Sequence, residues 1–383
     1  MDIQTFGVEM WMNEFENHCR YNLAETCVAS ITLGELIDMA GMDNSVMGDL
    51  RAMRMGYGAI EGSERLRRAV AGLYEQQTAD NVLTTHGTIG ANALVHQTLV
   101  SRGDHVIAVV PTYQQHYSIP ASLEAEVELL HLRPEDGFLP DLEALRAMLR
   151  PETRLIAINN PNNPTGALMG REMLAEIADI AKGSGAWVLC DEVYRGTDQS
   201  GDGYTTSICD LYDRGISTAG MSKAYSLAGL RVGWVVGPRE LLDRIMVHRD
   251  YNTISVGGLD ELFSAMALEN RDKILTRAHQ ITRGNLEILA DWVAGEPLID
   301  WVKPQSGTTA LLKYDLPIPS RDFCTRLLDE EGVLFTPGSV MDMEGWLRIG
   351  FANATDDLRA GLARVSAFLA REQTAQTATS RTG

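Results

Sequence analysis

The sequence predicts an α/β protein: a large domain with a mainly parallel sheet sandwiched by helices, joined to a smaller α+β domain. Three observations carry this reading. First, the runs VIAVV (106–110), LIAIN (155–159) and AWVLC (186–190) are apolar almost throughout, as suits strands buried on both faces. Second, helical patterns such as ALRAMLR and REMLAEIADIAKGSG lie between them, the latter stopping at a glycine. Third, the last quarter mixes helical patterns around 283–293 and 321–331 with short strands near 308–313 and 346–351.

A chain of 383 residues exceeds what one compact core usually holds. The large domain is expected over 45–275 and the small one over 1–44 with 276–370, its N-terminal part holding a helical stretch near 11–20. The tail 371–383, REQTAQTATSRTG, is polar and has no apolar face, so disorder is expected there.

The formal net charge of −19 repels phosphate backbones and anionic lipid heads, so neither nucleic acid nor membrane is an expected partner. Apolar runs stay well short of the ~20 residues that span a bilayer. The five cysteines are scattered, with no metal-ligand or redox spacing, so no metal is expected and reduced thiols in the cytoplasm fit best. The acidic first residues do not read as an export signal.

Chemistry is expected beyond the carboxyl ends of the strands. In SKAYSLAGLRVG (222–233), Lys223 is flanked by small residues and precedes a Gly-x-Arg-x-Gly centred on Arg231. A lysine is ordinarily a solvated surface residue, but a desolvated one attacks aldehydes, and Arg231 offers charge for a phosphate. Asp191 in DEVY follows AWVLC; it is either a cap for the next segment or the carboxylate partner of a protonated ring nitrogen. Tyr194 is placed to donate to a phenolate oxygen. NNPNNPTG (159–166) is ordinary turn chemistry, in which Asn163 offers an amide to the same oxygen. HGTIGA (86–91) opens a helix whose free N–H groups at Gly87, Thr88 and Ile89 suit a phosphate. Tyr113, after VIAVV, offers a stacking face. Arg348 in RIGF reads as a structural ion pair or a clamp for an α-carboxylate.

Together and in this order, these elements resemble the fold type I pyridoxal phosphate (PLP) enzymes of the class I/II aminotransferase family, over nearly the whole chain. YGAIEGSERLR (57–67) is similar to a further family segment. The resemblance implies PLP as cofactor, a small-molecule amino acid as substrate, and a homodimer with shared active sites. Lys223 is then the Schiff-base lysine and proton shuttle at Cα, and Asp191 the partner of the pyridinium nitrogen. Tyr194 and Asn163 hold the phenolate oxygen and Tyr113 stacks on the ring. Gly87, Thr88, Ile89, Ser222 and Arg231 surround the phosphate. Arg348, with Asn163, faces the substrate, and Tyr57 reaches the partner subunit's phosphate. RDYNTIS (249–255) is expected at the same interface.

Two departures stand out. Many relatives have Ser-x-Ser-Lys, whereas Gly220 stands here at the first serine. The family's Leu-x-x-Gly-x-Pro turn is replaced by YNLAETCV (21–28), which carries Glu25. Glu25 is either a surface residue of a remodelled loop or a selector for a cationic side chain, with Glu14 and Glu16 adding charge. Asn-Leu-Ala-Glu is similar to a stretch of PLP enzymes that process arginine or hydroxyarginine to cyclic guanidino amino acids. Two reactions are therefore expected: amino transfer to a keto acid, or loss of a β-hydroxyl with ring closure by a guanidine nitrogen.

Overall fold

The computed structural model describes residues 2–42 and 45–380. Among them, the main sheet has seven strands, in the order Val82–His86, Val232–Val236, Gly215–Gly220, Trp187–Asp191, Thr153–Asn159, His105–Val110 and Glu126–His131. Neighbours are parallel except at Val232–Val236, which runs against both of its neighbours. Successive side chains along the central strands pack on opposite faces of the sheet. Val106, Leu155, Leu189 and Ile216 pack on Leu94, Val95 and Leu241. Ile107, Ile156, Val188 and Cys190 pack on Leu145, Leu174 and Ile177 on the other face. Two covered faces explain why these runs are apolar throughout rather than alternating. The helices Gly87–Leu99 and Arg171–Lys182 supply much of the cover.

The second sheet is antiparallel, in the order Thr336–Pro337, Trp346–Gly350, Thr309–Tyr314, Ile299–Trp301. Tyr21–Asn22 pairs in parallel with Val333–Leu334, which brings residues 20–28 back onto this unit. Trp11, Leu23 and Ala24 share its core with Phe323, Leu347 and Val365. Ile31 and Leu36 instead join a core that holds Leu66, Trp234 and Phe263. The helix Arg271–Gly295 spans both cores: Ile274 and Leu275 lie in one, Leu286 and Leu289 in the other. The border expected between 275 and 276 thus falls inside a single helix. Among the described residues, no helix is long and apolar enough to cross a membrane.

Two expectations are corrected. The N-terminal helix is Gly7–Phe15 rather than 11–20. It starts early because the Gly7 N–H donates to Gln114 Oε1 (2.8 Å) and Trp11 Nε1 donates to the Phe335 carbonyl (2.8 Å). The polar Asn17 and His18 then offer no apolar face to extend it. The tail, expected to be disordered from 371, is helical through Ser380 as the end of the helix Thr355–Ser380. Extending an existing helix avoids the nucleation cost. Arg371 pairs with Glu331 (2.7 Å) and Glu372 with Arg326 (2.5 Å), tying its first turn to the helix Ser320–Glu331. Residues 381–383 of the expected tail lie outside the described residues.

Candidate active site

Five strand ends meet at one edge of the main sheet. Its parallel strands deliver Asp191 at, and Thr88, Tyr113, Asn163 and Lys223 just beyond, their carboxyl ends, and the reversed strand Val232–Val236 begins there, next to Arg231. These residues, with Ile89, Tyr194, Ser222, Glu25 and Arg348, line one cavity of about 320 Å³. Gly87 lies one residue outside it. Tyr57 is not brought to this cavity within the chain: it is 86% exposed.

Asp191 is buried and each of its carboxylate oxygens accepts a hydrogen bond. Asn92 Nδ2 donates to its Oδ2 at 2.8 Å and the Val193 N–H to its Oδ1 at 3.0 Å. His116 Nε2 stands 3.5 Å from Oδ2. Thr218 Oγ1 donates to Asn92 Oδ1 at 2.6 Å, which fixes that amide so that its NH₂ faces Asp191. Asn92 lies on the helix Gly87–Leu99 and His116 follows Tyr113 by three residues; neither stands in a motif, so sequence reasoning missed both. The cap alternative for Asp191 is partly real, since Oδ1 does take the Val193 N–H.

At the other end of the cavity, the helix Gly87–Leu99 presents its N-terminus beside Thr88, Ser222 and Arg231. Thr88 Oγ1 is buried without a partner. An orphaned donor is costly unless something binds it. The backbones here touch: a Cβ at Gly233 would stand 2.5 Å from the Thr88 nitrogen, and one at Gly87, whose φ is +66°, would stand 3.0 Å from Arg231 Nη2. Gly220 is explained in the same way, since a Cβ there would stand 2.7 Å from Thr88 Oγ1 and 2.9 Å from the Val232 carbonyl. A glycine-lined helix N-terminus with an arginine, a free hydroxyl and a serine fits a phosphate. Asp191 at the far side fits a protonated ring nitrogen. These residues fit PLP.

Arg348 is buried, and among the described residues no carboxylate pairs with it. It donates to Thr336 Oγ1 (3.1 Å) and, at 3.4 Å, to Asn163 Oδ1 and the Ala24 carbonyl; its Nε has no partner. Burial pulls its guanidinium below the ordinary arginine value despite Tyr194, Glu9 and Glu25 nearby. A buried, unpaired cation is costly, so the structural ion-pair reading fails and an anion-binding role remains.

Besides Asp191, three carboxylates line the same cavity: Glu9, Glu16 and Glu25. Glu9 was not foreseen; it accepts from the Tyr113 hydroxyl at 2.6 Å. Glu14, expected to add charge, turns away to within 3.8 Å of Arg321. Glu25 Oε1 accepts the N–H groups of Thr26 and Cys27, both at 2.7 Å. One oxygen of Glu25 thus shapes the loop, and the residue lines the cavity rather than the open surface. Burial would raise its carboxyl, but the Lys223 charge and the bonds from Cys27 and Thr26 bring it below the usual carboxylate range.

Lys223 Nζ donates to Thr26 Oγ1 at 2.5 Å and lies 3.4 Å from Cys27 Sγ. Burial alone would lower its amine, but Cys27, Tyr194 and Glu25 outweigh it and the amine is held above the ordinary lysine value. Burial raises the Cys27 thiol and the Tyr194 phenol. Of the expected interface segment 249–255, Arg249 is committed within the chain, donating to the carbonyls of Thr84 and Ile60, while Tyr251 is 93% exposed.

Comparison with known proteins agrees with this geometry. The family described as aminotransferase class I and II matches residues 48–365. A capreomycidine synthase from Streptomyces vinaceus is 34% identical over 362 residues, which are 94% of this chain and 92% of that one. A PLP-dependent aminotransferase from Streptococcus suis 89-1591 superposes with a TM-score of 0.94 at 42% identity, over 97% of this chain and 99% of that one. The PLP-dependent cyclase OrfR superposes with a TM-score of 0.89 at 28% identity, over 97% and 98%.

Proposed function

This chain belongs to the class I and II aminotransferase family, is an enzyme and takes PLP as cofactor; from that premise we propose that it acts at Cα of a guanidino amino acid, expelling a β-hydroxyl and closing a ring through a guanidine nitrogen. One observation carries the substrate class: the cavity holds the unpaired Arg348 together with Glu9, Glu16 and Glu25. One cation for an α-carboxylate and several anions for a distal cation match an arginine-type zwitterion. The likeness to a capreomycidine synthase and to the cyclase OrfR supports the ring closure.

When bound, PLP supplies an electron sink for the negative charge left at Cα. Asp191, braced by Asn92 and His116, would hold its ring nitrogen, and Asn163 and Tyr194 its phenolate oxygen. Thr88, Ser222, Arg231 and the helix N-terminus at Gly87 would hold its phosphate. Arg348 grips the substrate carboxylate and so orients the Cα–H bond. Lys223 Nζ removes the Cα proton and returns a proton to the departing β-hydroxyl, which leaves as water. Glu25, with Glu9 and Glu16, steers the guanidinium back towards Cβ, where a nitrogen adds as it gives up a proton and Lys223 Nζ returns one to Cα.

The 42% identical aminotransferase favours a second reading, transfer of the amino group to a keto acid. The holoenzyme incubated with 3-hydroxyarginine, arginine and 2-oxoglutarate decides between them. A cyclic product one water lighter, formed without keto acid, supports the first; keto-acid-dependent amine transfer alone refutes it.

A homodimer is part of this proposal. Tyr57, Met55, Val247 and Tyr251 are exposed, and such a set is costly to leave in water. A monomeric mass by light scattering would refute it. The free cysteines fit a cytoplasmic setting.

A further inference from the structure

Residues 24–28, which stand where the family has its Gly-x-Pro turn, bring a hydroxyl to the reacting amine. The Thr26 N–H donates to Glu25 Oε1 at 2.7 Å, and its carbonyl accepts from the buried Thr308 hydroxyl at 2.6 Å. Both flanks of the segment are also held: the Gly350 N–H donates to the Leu23 carbonyl at 2.7 Å, and the Ala29 N–H to the Ala352 carbonyl at 2.9 Å. With its backbone fixed and its χ1 stiffened by β-branching, Thr26 has one thing left to place, its Oγ1. That oxygen takes the hydrogen bond from Lys223 Nζ at 2.5 Å. An ammonium has donors only, so the hydroxyl's own proton remains free, and the Tyr194 phenol stands nearby in the same cavity. The charged and titratable groups facing Nζ are Glu25 and Cys27 from this segment and Tyr194 from the turn after Trp187–Asp191.

We propose that Thr26 is a positioning residue for the Lys223 amine, holding Nζ through its hydroxyl whenever that amine is free. The lysine stem has four rotatable carbons and would otherwise sample the whole cavity. Held by Thr26, Nζ stays in one place between its proton transfers. The proposal rests on the reading of Lys223 as the Cα base. It assigns to the small-domain segment a part in proton transfer, in addition to any part in substrate choice.

Thr26→Val keeps the shape and removes the hydroxyl, Thr26→Ser restores it, and Cys27→Ala is the neighbouring control. In the apoprotein, acetic anhydride labelling of Lys223 followed across pH by peptide mass spectrometry reads the amine directly. Thr26→Val is expected to label about tenfold faster at a given pH, because the protonated amine has lost an acceptor. Thr26→Ser is expected to follow the parent. In the holoenzyme, exchange of the substrate Cα proton with deuterated water is expected to slow about tenfold in Thr26→Val at saturating substrate, with KM unchanged. A valine variant that labels like the parent overturns the proposal, as does a serine variant that behaves like valine. A shift produced by Cys27→Ala but not by Thr26→Val also overturns it. Failure of the parent protein to bind PLP would refute the proposed function instead, and the apoprotein labelling would still decide the role of Thr26.

Discussion

Glu25→Gln separates the two roles that the structure gives to one carboxylate. Glu25 Oε1 accepts two backbone N–H groups at 2.7 Å, and the glutamine carbonyl can accept both, so residues 24–28 keep their course. What is lost is the charge that faces the cavity. A hydrogen bond to a charged group is worth about 1.5–3 kcal/mol, or roughly 10- to 150-fold at 1.36 kcal/mol per decade. Glu9 and Glu16 remain in the same cavity, so the lower end applies, about tenfold. The assay is steady-state kinetics on arginine or 3-hydroxyarginine beside norleucine, which has the stem without the guanidinium. The loss is expected as a higher KM for the guanidino substrates and no change for norleucine. An equal loss on norleucine would mean that the loop was damaged. An unchanged KM for arginine would mean that Glu25 does not meet the cation; either result refutes the charge-selection argument.

Further outcomes follow from the same geometry. Arg348→Lys cannot form the two-pronged contact with a carboxylate, so KM for every α-amino acid is expected to rise about tenfold or more, whereas an unaltered KM would remove Arg348 from the substrate site. Gly220→Ala puts a Cβ 2.7 Å from Thr88 Oγ1 and 2.9 Å from the Val232 carbonyl; overpacking of this kind costs about 1–3 kcal/mol, to be read as weaker PLP retention on dialysis. Asp198 accepts from Ser306 Oγ at 2.6 Å, and burial pushes its carboxyl up to about 6 against 3.8, with Ser306 and Arg195 offsetting in part. Folding therefore favours the protonated form: that contribution is full below the unfolded value and is lost as pH climbs through the folded one. Asp198→Asn is expected to stabilise the protein at neutral pH by at most about 3 kcal/mol. The gain, followed by urea unfolding across pH, is expected to vanish near the unfolded value, and a gain independent of pH would contradict the assignment.

The parts of the site that were legible in the sequence are those written locally. Asp191, Asn163 and Tyr113 each follow an apolar run, so a strand end could be read beside each of them, and Lys223 stands among small residues ahead of a Gly-x-Arg-x-Gly. The parts that were not legible come from elsewhere in the fold. Asn92 and His116 reach Asp191 from helices 99 and 75 positions away in the chain, with no pattern that marks them. Thr26 meets Lys223 across 197 positions, because Tyr21–Asn22 pairs with Val333–Leu334 and carries the following residues over the cavity. Glu9 enters on a helix whose start depends on Gln114. The tail misled because its composition is polar, while its order comes from growing off an established helix and from Arg371 and Glu372 meeting their partners.

Borohydride reduction of the holoenzyme followed by peptide mapping reads the bond between Lys223 and PLP directly, since reduction makes any link between PLP and a lysine permanent. One pyridoxyl group is expected, on the peptide that carries Lys223, and none in Lys223→Ala. A pyridoxyl group on another lysine, with the Lys223 peptide unmodified, would contradict the Schiff-base role of Lys223.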